Sequence, residues 1–161
     1  AIYEGTTGIQ ALDLIGRKLA SEKGVTAAAV LAEVKATVAK LAAAGSDFAS
    51  LKANLEAGIE QAEACVNFVL ETFGTQPRLP AAGSVPFLKL MGILLGGWQL
   101  ARGALIAQAK LGEDGADTDF YTAKIVTARF YGEHLLPQIS GLAVAILGGA
   151  ESVLALDEAQ F

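Results

Sequence analysis

One short segment of the 161-residue sequence sets chemically capable residues close together: Ile2-Tyr3-Glu4-Gly5-Thr6-Thr7-Gly8-Ile9-Gln10. A lone carboxylate follows two bulky residues and precedes a glycine. Gly5 and Gly8 then bracket two threonines. A helical pattern begins directly afterwards, so Thr6 or Thr7 is placed to cap it. The free backbone donors of such a helix start suit an anionic ligand group. Read from the residues alone, this is a tight turn that presents a carboxylate, a group able to accept a proton.

Other residues invite chemistry and are expected to do none. His134 is the single histidine, set among Phe130, Tyr131, Leu135 and Leu136. A triad would need it beside a serine or cysteine in space, and a packed or hydrogen-bonded structural histidine is expected instead. Glu56, Glu60 and Glu63 share one helical face. A di-iron site in a helical bundle needs two Glu-x-x-His pairs, which one histidine cannot supply, so a solvated acidic face and no metal are expected. Cys65 lies among Ala62, Val66 and Val69, where a buried inert thiol is expected. A single cysteine also fits a reducing compartment, and a cytoplasmic location is expected. Gly92-x-x-x-Gly96, Gly96-Gly97 and Gly148-Gly149 read either as a membrane dimer motif or as points of close helix packing. None follows a strand, so none is a phosphate-cradling loop.

The elements that must position these residues are helical. The first follows Thr6-Thr7-Gly8 to about Ser21, with Ile9, Leu12, Ile15 and Leu19 along one side. A second covers about Val25 to Ala44, and Gly45-Ser46-Asp47 reads as a stop followed by a new cap. The third, about Phe48 to Phe73, has the clearest stripe: Leu51, Leu55, Ile59, Ala62, Val66 and Val69 recur at steps of three and four. Gly74 to Ser84 holds Pro77, Pro80 and Gly83 and reads as a loop. The fourth helix, about Pro86 to Leu111, is apolar nearly all round, as a central buried helix would be. Gly112 to Asp119 is an acidic turn. The fifth helix, about Asp119 to Gly148, should kink at Pro137, and a last turn or two covers Ala150 to Leu156. The expected fold is all-α, an antiparallel bundle of about five helices, with Trp98, Leu94, Phe130, Leu55, Ile59 and Val66 in its core.

Composition agrees. Hydrophobic residues make up 53% and charged residues 18%, led by alanine and leucine, which favours helix over sheet. The net charge is −5 and the basic residues are scattered singly, so nucleic-acid binding lacks its electrostatic footprint. The mean hydropathy of +0.45 raises the membrane question. The longest uncharged run, Leu135 to Ala150, is 16 residues. A spanning helix needs roughly 20, and no transmembrane segment is expected. The first ten residues lack a signal-peptide pattern. The chain has no initiating methionine and opens in mid-motif, as a fragment is expected to.

Ile2-Tyr3-Glu4-Gly5-Thr6, followed by Ile9-Gln10, resembles the signature near the end of the catalytic core of acyl-CoA dehydrogenases. Gly8-Ile9-Gln10-Ala11-Leu12-Asp13-Leu14 is similar to the large members of that family, the class that includes the methylthioacyl-CoA dehydrogenases. Phe87-Leu88-Lys89-Leu90, Gly96-Gly97-Trp98, the run from Ala128 to Pro137 and Ala150-Glu151-Ser152-Val153 are similar to the C-terminal helical extension of that class.

The resemblance implies that residues 1–22 end the catalytic core and residues 23–161 form the helical extension. It implies an FAD-dependent parent enzyme in which Glu4 is the base. Glu4 would take the pro-R proton α to the thioester while the β hydrogen leaves as hydride to flavin N5. A desolvated site raises a carboxylate's pKa toward the range useful for this. Gly5 would let the substrate acyl group approach the backbone, and Thr6, Thr7 and Gly8 match the FAD-contacting positions. Many members carry Asn where Thr7 stands. An acyl-CoA substrate, an electron-transfer flavoprotein and homo-oligomerisation are the implied partners. The rest of the pocket lies in domains outside this sequence, so the chain alone should neither hold FAD nor turn over. Two other readings stand beside this one: a free-standing helical interaction module without catalysis, and a membrane-associated helical protein.

Overall fold

A computed structural model of the chain describes residues 6–160. The described residues form eight α-helices and no strand: α1 (Thr6–Asp13), α2 (Val25–Ala43), α3 (Ala49–Thr72), α4 (Arg78–Ala82), α5 (Ser84–Leu111), α6 (Thr118–His134), α7 (Gln138–Gly148) and α8 (Ala150–Val153). The fold is an all-α helical bundle, as the composition and periodicity require. The helix starts and stops follow local chemistry. Asp117 caps α6, its carboxylate accepting from the Phe120 amide at 3.0 Å, with Asp119 in the favourable first turn. Gly24, directly ahead of α2, has φ +76° and donates its amide to the Leu19 carbonyl at 3.0 Å.

The helices sort into two compact units, and α2, α3, α5 and α7 contribute residues to both. The first comprises the described residues up to Val30, Gln61–Met91 and those from Ser140 onward. Ala11, Ile15 and Leu19 are buried there at steps of four. The Phe73 ring lies 3.4 Å from where a Gly16 Cβ would stand. A Cβ on Gly83 would stand 3.2 Å from the Cα of Ile146 in α7.

The second unit is Leu31–Glu60 with Gly92–Ile139. Leu31, Val34, Val38 and Leu41 form the buried stripe of α2, and Leu51, Leu55 and Ile59 that of α3. Each such side chain contributes about 1.5–3 kcal/mol by leaving water. Cross-helix polar contacts fix the directions. Trp98 Nε1 donates to Thr37 Oγ1 at 2.8 Å and Gln108 Nε2 to the Ala44 carbonyl at 2.9 Å, so α2 and α5 run the same way. Tyr131 Oη donates to the Ile93 carbonyl at 3.1 Å, while Ile106 and Ala107 face Phe120 and Tyr121, so α5 and α6 are antiparallel. Small residues permit close approach: a Cβ on Gly97 would stand 2.7 Å from Leu136, and one on Gly96 2.6 Å from the Tyr131 hydroxyl. Close packing is therefore the role of Gly96-Gly97. Gly92 faces open space.

Three expectations need correction. Pro137 does not kink one long helix; it separates two. It has no amide to donate and its ring clashes with the preceding turn, so α6 stops at His134 and α7 starts at Gln138. The Gly74–Ser84 stretch contains the short helix α4, because its prolines sit at the first-turn positions where no amide is needed. Phe130 is 56% exposed rather than core. It lies against His134, ring centroids 4.5 Å apart, and His134 is exposed too. These two residues are one turn apart on the solvent side of α6. Separately, α5 is long and apolar enough to cross a membrane by length and composition alone. Lys89 and Arg102 interrupt it, which is why a search for uncharged runs passes over it.

Candidate functional site

Thr6, Thr7 and Gly8 form the first turn of α1; Glu4 and Gly5 lie outside the described residues. Thr7 is exposed, and Thr6 and Gly8 are half-buried. Among the described residues, nothing outside the helix's own backbone lies within 4 Å of where a Gly8 Cβ would stand. Ala11 of α1 and, beyond its end, Ile15 and Leu19 are buried in the first unit, while Ile9 and Leu12 are exposed. No acidic residue stands in the first turn of α1 itself. One turn further on, Asp13 pairs with Arg17, and that pairing raises the guanidinium's pKa. An exposed i, i+4 pair of this kind contributes little to stability.

The rest of the described chain holds no competing reactive centre. Burial pushes the Cys65 thiol up to about 11, so it stays protonated and inert at neutral pH. Burial likewise raises the Tyr131 phenol, which is engaged with the Ile93 carbonyl. Glu56 pairs with Lys52 at 2.6 Å, a surface role for the acidic face of α3. No three of the described histidine, cysteine and acidic residues come together as a metal would need. The cross-helix polar pairs, Trp98 with Thr37 and Asn54 with the Gly132 carbonyl at 3.0 Å, were not anticipated. Each joins residues distant in sequence, which no local spacing announces.

A family model described as acetyl-CoA dehydrogenase C-terminal like matches residues 30–157. The chain belongs to this family. The match takes in every helix from α2 to α8 except the first residues of α2. Among curated proteins, 3-methylmercaptopropionyl-CoA dehydrogenase of Ruegeria pomeroyi is 39% identical over 153 residues, which cover 95% of the chain and 26% of that protein. A broad-specificity linear acyl-CoA dehydrogenase of Mycobacterium tuberculosis is 32% identical, covering all of the chain and 28% of that protein. A butyryl-CoA dehydrogenase of Syntrophomonas wolfei is 30% identical, again over the whole chain and 27% of its own length. The chain thus spans about a quarter of the length of the curated relatives it matches. The last two alignments reach across the segment that holds Glu4, Gly5, Thr6, Thr7 and Gly8.

Proposed function

We propose that this chain serves as the carboxy-terminal part of an FAD-dependent acyl-CoA dehydrogenase. Residues 1–22 close its catalytic core and residues 23–161 form its helical extension. The observation that carries the reading is the full-length alignment with relatives named as acyl-CoA dehydrogenases, taken together with the Tyr3-Glu4-Gly5-Thr6 motif directly ahead of α1.

Glu4 is the base in this reading. Its carboxylate takes the proton from the carbon α to the thioester carbonyl, and the electron pair of that C–H bond forms the new Cα–Cβ double bond. Water exclusion around the acyl chain keeps the carboxylate basic enough for the task. Gly5 leaves room for the acyl group to lie against the backbone. Thr6, Thr7 and Gly8 fit a flavin's polar edge. They bring two threonines and the first-turn amides of α1 together, and among the described residues nothing outside the helix's own backbone comes within 4 Å of a Gly8 Cβ. Bound FAD supplies the acceptor for the β hydrogen and its electron pair. The acyl-CoA substrate and an electron-transfer flavoprotein as reoxidant belong to the same reading.

The assembly is a homo-oligomer without a membrane span in this proposal. Exposed Val144, Leu147 and Val153 on α7 and α8 support association. For α5, burial of Leu90, Leu94, Ala101 and Ala104 and the Tyr131 and Trp98 hydrogen bonds support a place in the bundle. The test is single-turnover flavin bleaching by an acyl-CoA, in a protein carrying this segment with the rest of the relatives' length. Glu4→Gln keeps the side-chain shape but cannot accept the proton. Bleaching should slow by about 10²- to 10⁴-fold with FAD still bound. Bleaching at the unsubstituted rate overturns the assignment.

A further inference from the structure

We propose that the second unit carries a binding site for an apolar organic anion, a carboxylate on a short alkyl chain, in the groove between α2 and α5. The groove has a volume of about 500 Å³, within the range of small-molecule sites. It shares no residue with the α1 turn and does not rest on the dehydrogenase reading.

The residues sort along the groove by chemistry. Thr37 and Trp98 face each other, and their polar atoms are satisfied. The indole N–H goes to Thr37 Oγ1, whose own proton goes to the Glu33 carbonyl at 3.1 Å. The indole there offers apolar surface and little else. Next come Lys40 on α2 and Arg102 on α5. The Arg102 guanidinium is held over the Trp98 ring at 5.3 Å from its centroid and donates to Gln99 Oε1 at 3.0 Å. Those two contacts place the guanidinium before any ligand arrives and leave most of its N–H groups unengaged. Neither Lys40 nor Arg102 has a carboxylate partner among the described residues. Leu105, Ile106 and Ala109 continue the groove and are apolar.

Two cations against one lining carboxylate, Glu33, leave the groove locally positive on a chain whose net charge is −5. Charges beyond about 10 Å are screened at 0.1 M salt, so the local pair governs what enters. An anionic head meets Lys40 and Arg102, and an attached chain covers Leu105 and Ile106. A cation or a doubly polar solute satisfies only one half of the site.

Trp98 is the single tryptophan and lines the groove, so its fluorescence reports occupancy locally. The probe is octanoate, with octan-1-ol and octyltrimethylammonium as uncharged and cationic controls. Octanoate should give a saturable change with a dissociation constant of about 1–10 mM, as befits a ligand of its size. The controls should show no saturation over that range. Lys40→Gln with Arg102→Gln should weaken octanoate by about fivefold or more, compared as dissociation constants because the substitution alters the emission itself. Octan-1-ol saturating as tightly as octanoate, an unchanged constant in the double variant, or no saturation by octanoate overturns the proposal. Should the double variant lose its helical circular dichroism, the salt series on the unsubstituted chain decides. Octanoate affinity must then fall between about 0.05 and 0.5 M salt, and a flat series overturns the site.

Discussion

Adding one methyl group at Gly132 should separate close helix packing from helix propensity, because the two act in opposite directions there. Gly132 lies in α6 and is buried against Leu51 of α3. A Cβ at this position would stand 2.8 Å from Leu51 Cδ1, 3.0 Å from its Cα and 3.2 Å from its Cβ. The side-chain tip could turn away, but the Cα cannot move without the α3 backbone. Leu51 is fully buried and has no free volume to enter. Overpacking of this kind costs about 1–3 kcal/mol. Any separation of the helices also lengthens the bond from Asn54 Nδ2 to the Gly132 carbonyl, worth about 1 kcal/mol. Against this, alanine is favoured over glycine within a helix by about 1 kcal/mol. The net expectation for Gly132→Ala is a loss of about 1–3 kcal/mol, or about 2–12 °C in Tm for a chain of this size. Gly92→Ala is the matched control. Gly92 is exposed within α5 with nothing within 4 Å, so it should gain about 0.5–1 kcal/mol. Thermal and urea unfolding followed by circular dichroism measure both. If Gly132→Ala gains stability as Gly92→Ala does, the reading of α3 and α6 as touching backbone to side chain is wrong.

Gly24→Ala should cost more than about 1 kcal/mol by the same assay, since φ is +76° and a Cβ would stand 2.8 Å from Leu70 Cδ1; an unchanged midpoint would contradict the turn described. Native Cys65 should resist thiol reagents at pH 8 and react once the chain is unfolded. Because burial holds the folded thiol at about 11, above the usual 9.0 of a thiol, its contribution to stability is intact below pH 9 and is lost as pH rises through 11. Prompt labelling of native protein would contradict its burial. The chain by itself should bind no FAD in stoichiometric amount, because a single wall of contacts cannot offset the cost of immobilising the ligand; an absorbance spectrum with a flavin band near one equivalent would refute this.

Helix positions were legible because the apolar steps are regular. Leu51, Leu55, Ile59, Val66 and Val69 are buried as their spacing requires. Phe130 and His134 misled for a physical reason. They sit one turn apart beside apolar neighbours, yet Ala128 and Gly132 hold the buried side of α6, and small residues carry little hydrophobic signal. Long-range polar partners such as Thr37 and Trp98 left no trace in local pattern because the link runs through space. The motif at Glu4 was legible only through resemblance. A glutamate before a glycine is common in loops, and of that motif the described helix begins with Thr6.

The segment Leu14–Ala20, which follows α1 without a break, is wound as a π-helix. Its bonding runs five residues back, as in the Ser21 amide to the Gly16 carbonyl at 3.0 Å. Such a turn absorbs one residue more than an α-helical turn does, and so it sets the rotational phase of what precedes it. A single-residue deletion here would let the backbone relax to ordinary α-helical bonding. Because the wide turn takes up that residue, Thr6 through Asp13 would keep their direction about the helix axis. A second deletion, with no wide turn left to absorb it, would turn them by about 100°. Ala11 would then leave the core side, and the threonine turn would face a different neighbour. Changes of more than one residue that the exposed Gly112–Asp117 turn can tolerate are therefore expected to be excluded between Leu14 and Ala20, where length is equivalent to direction.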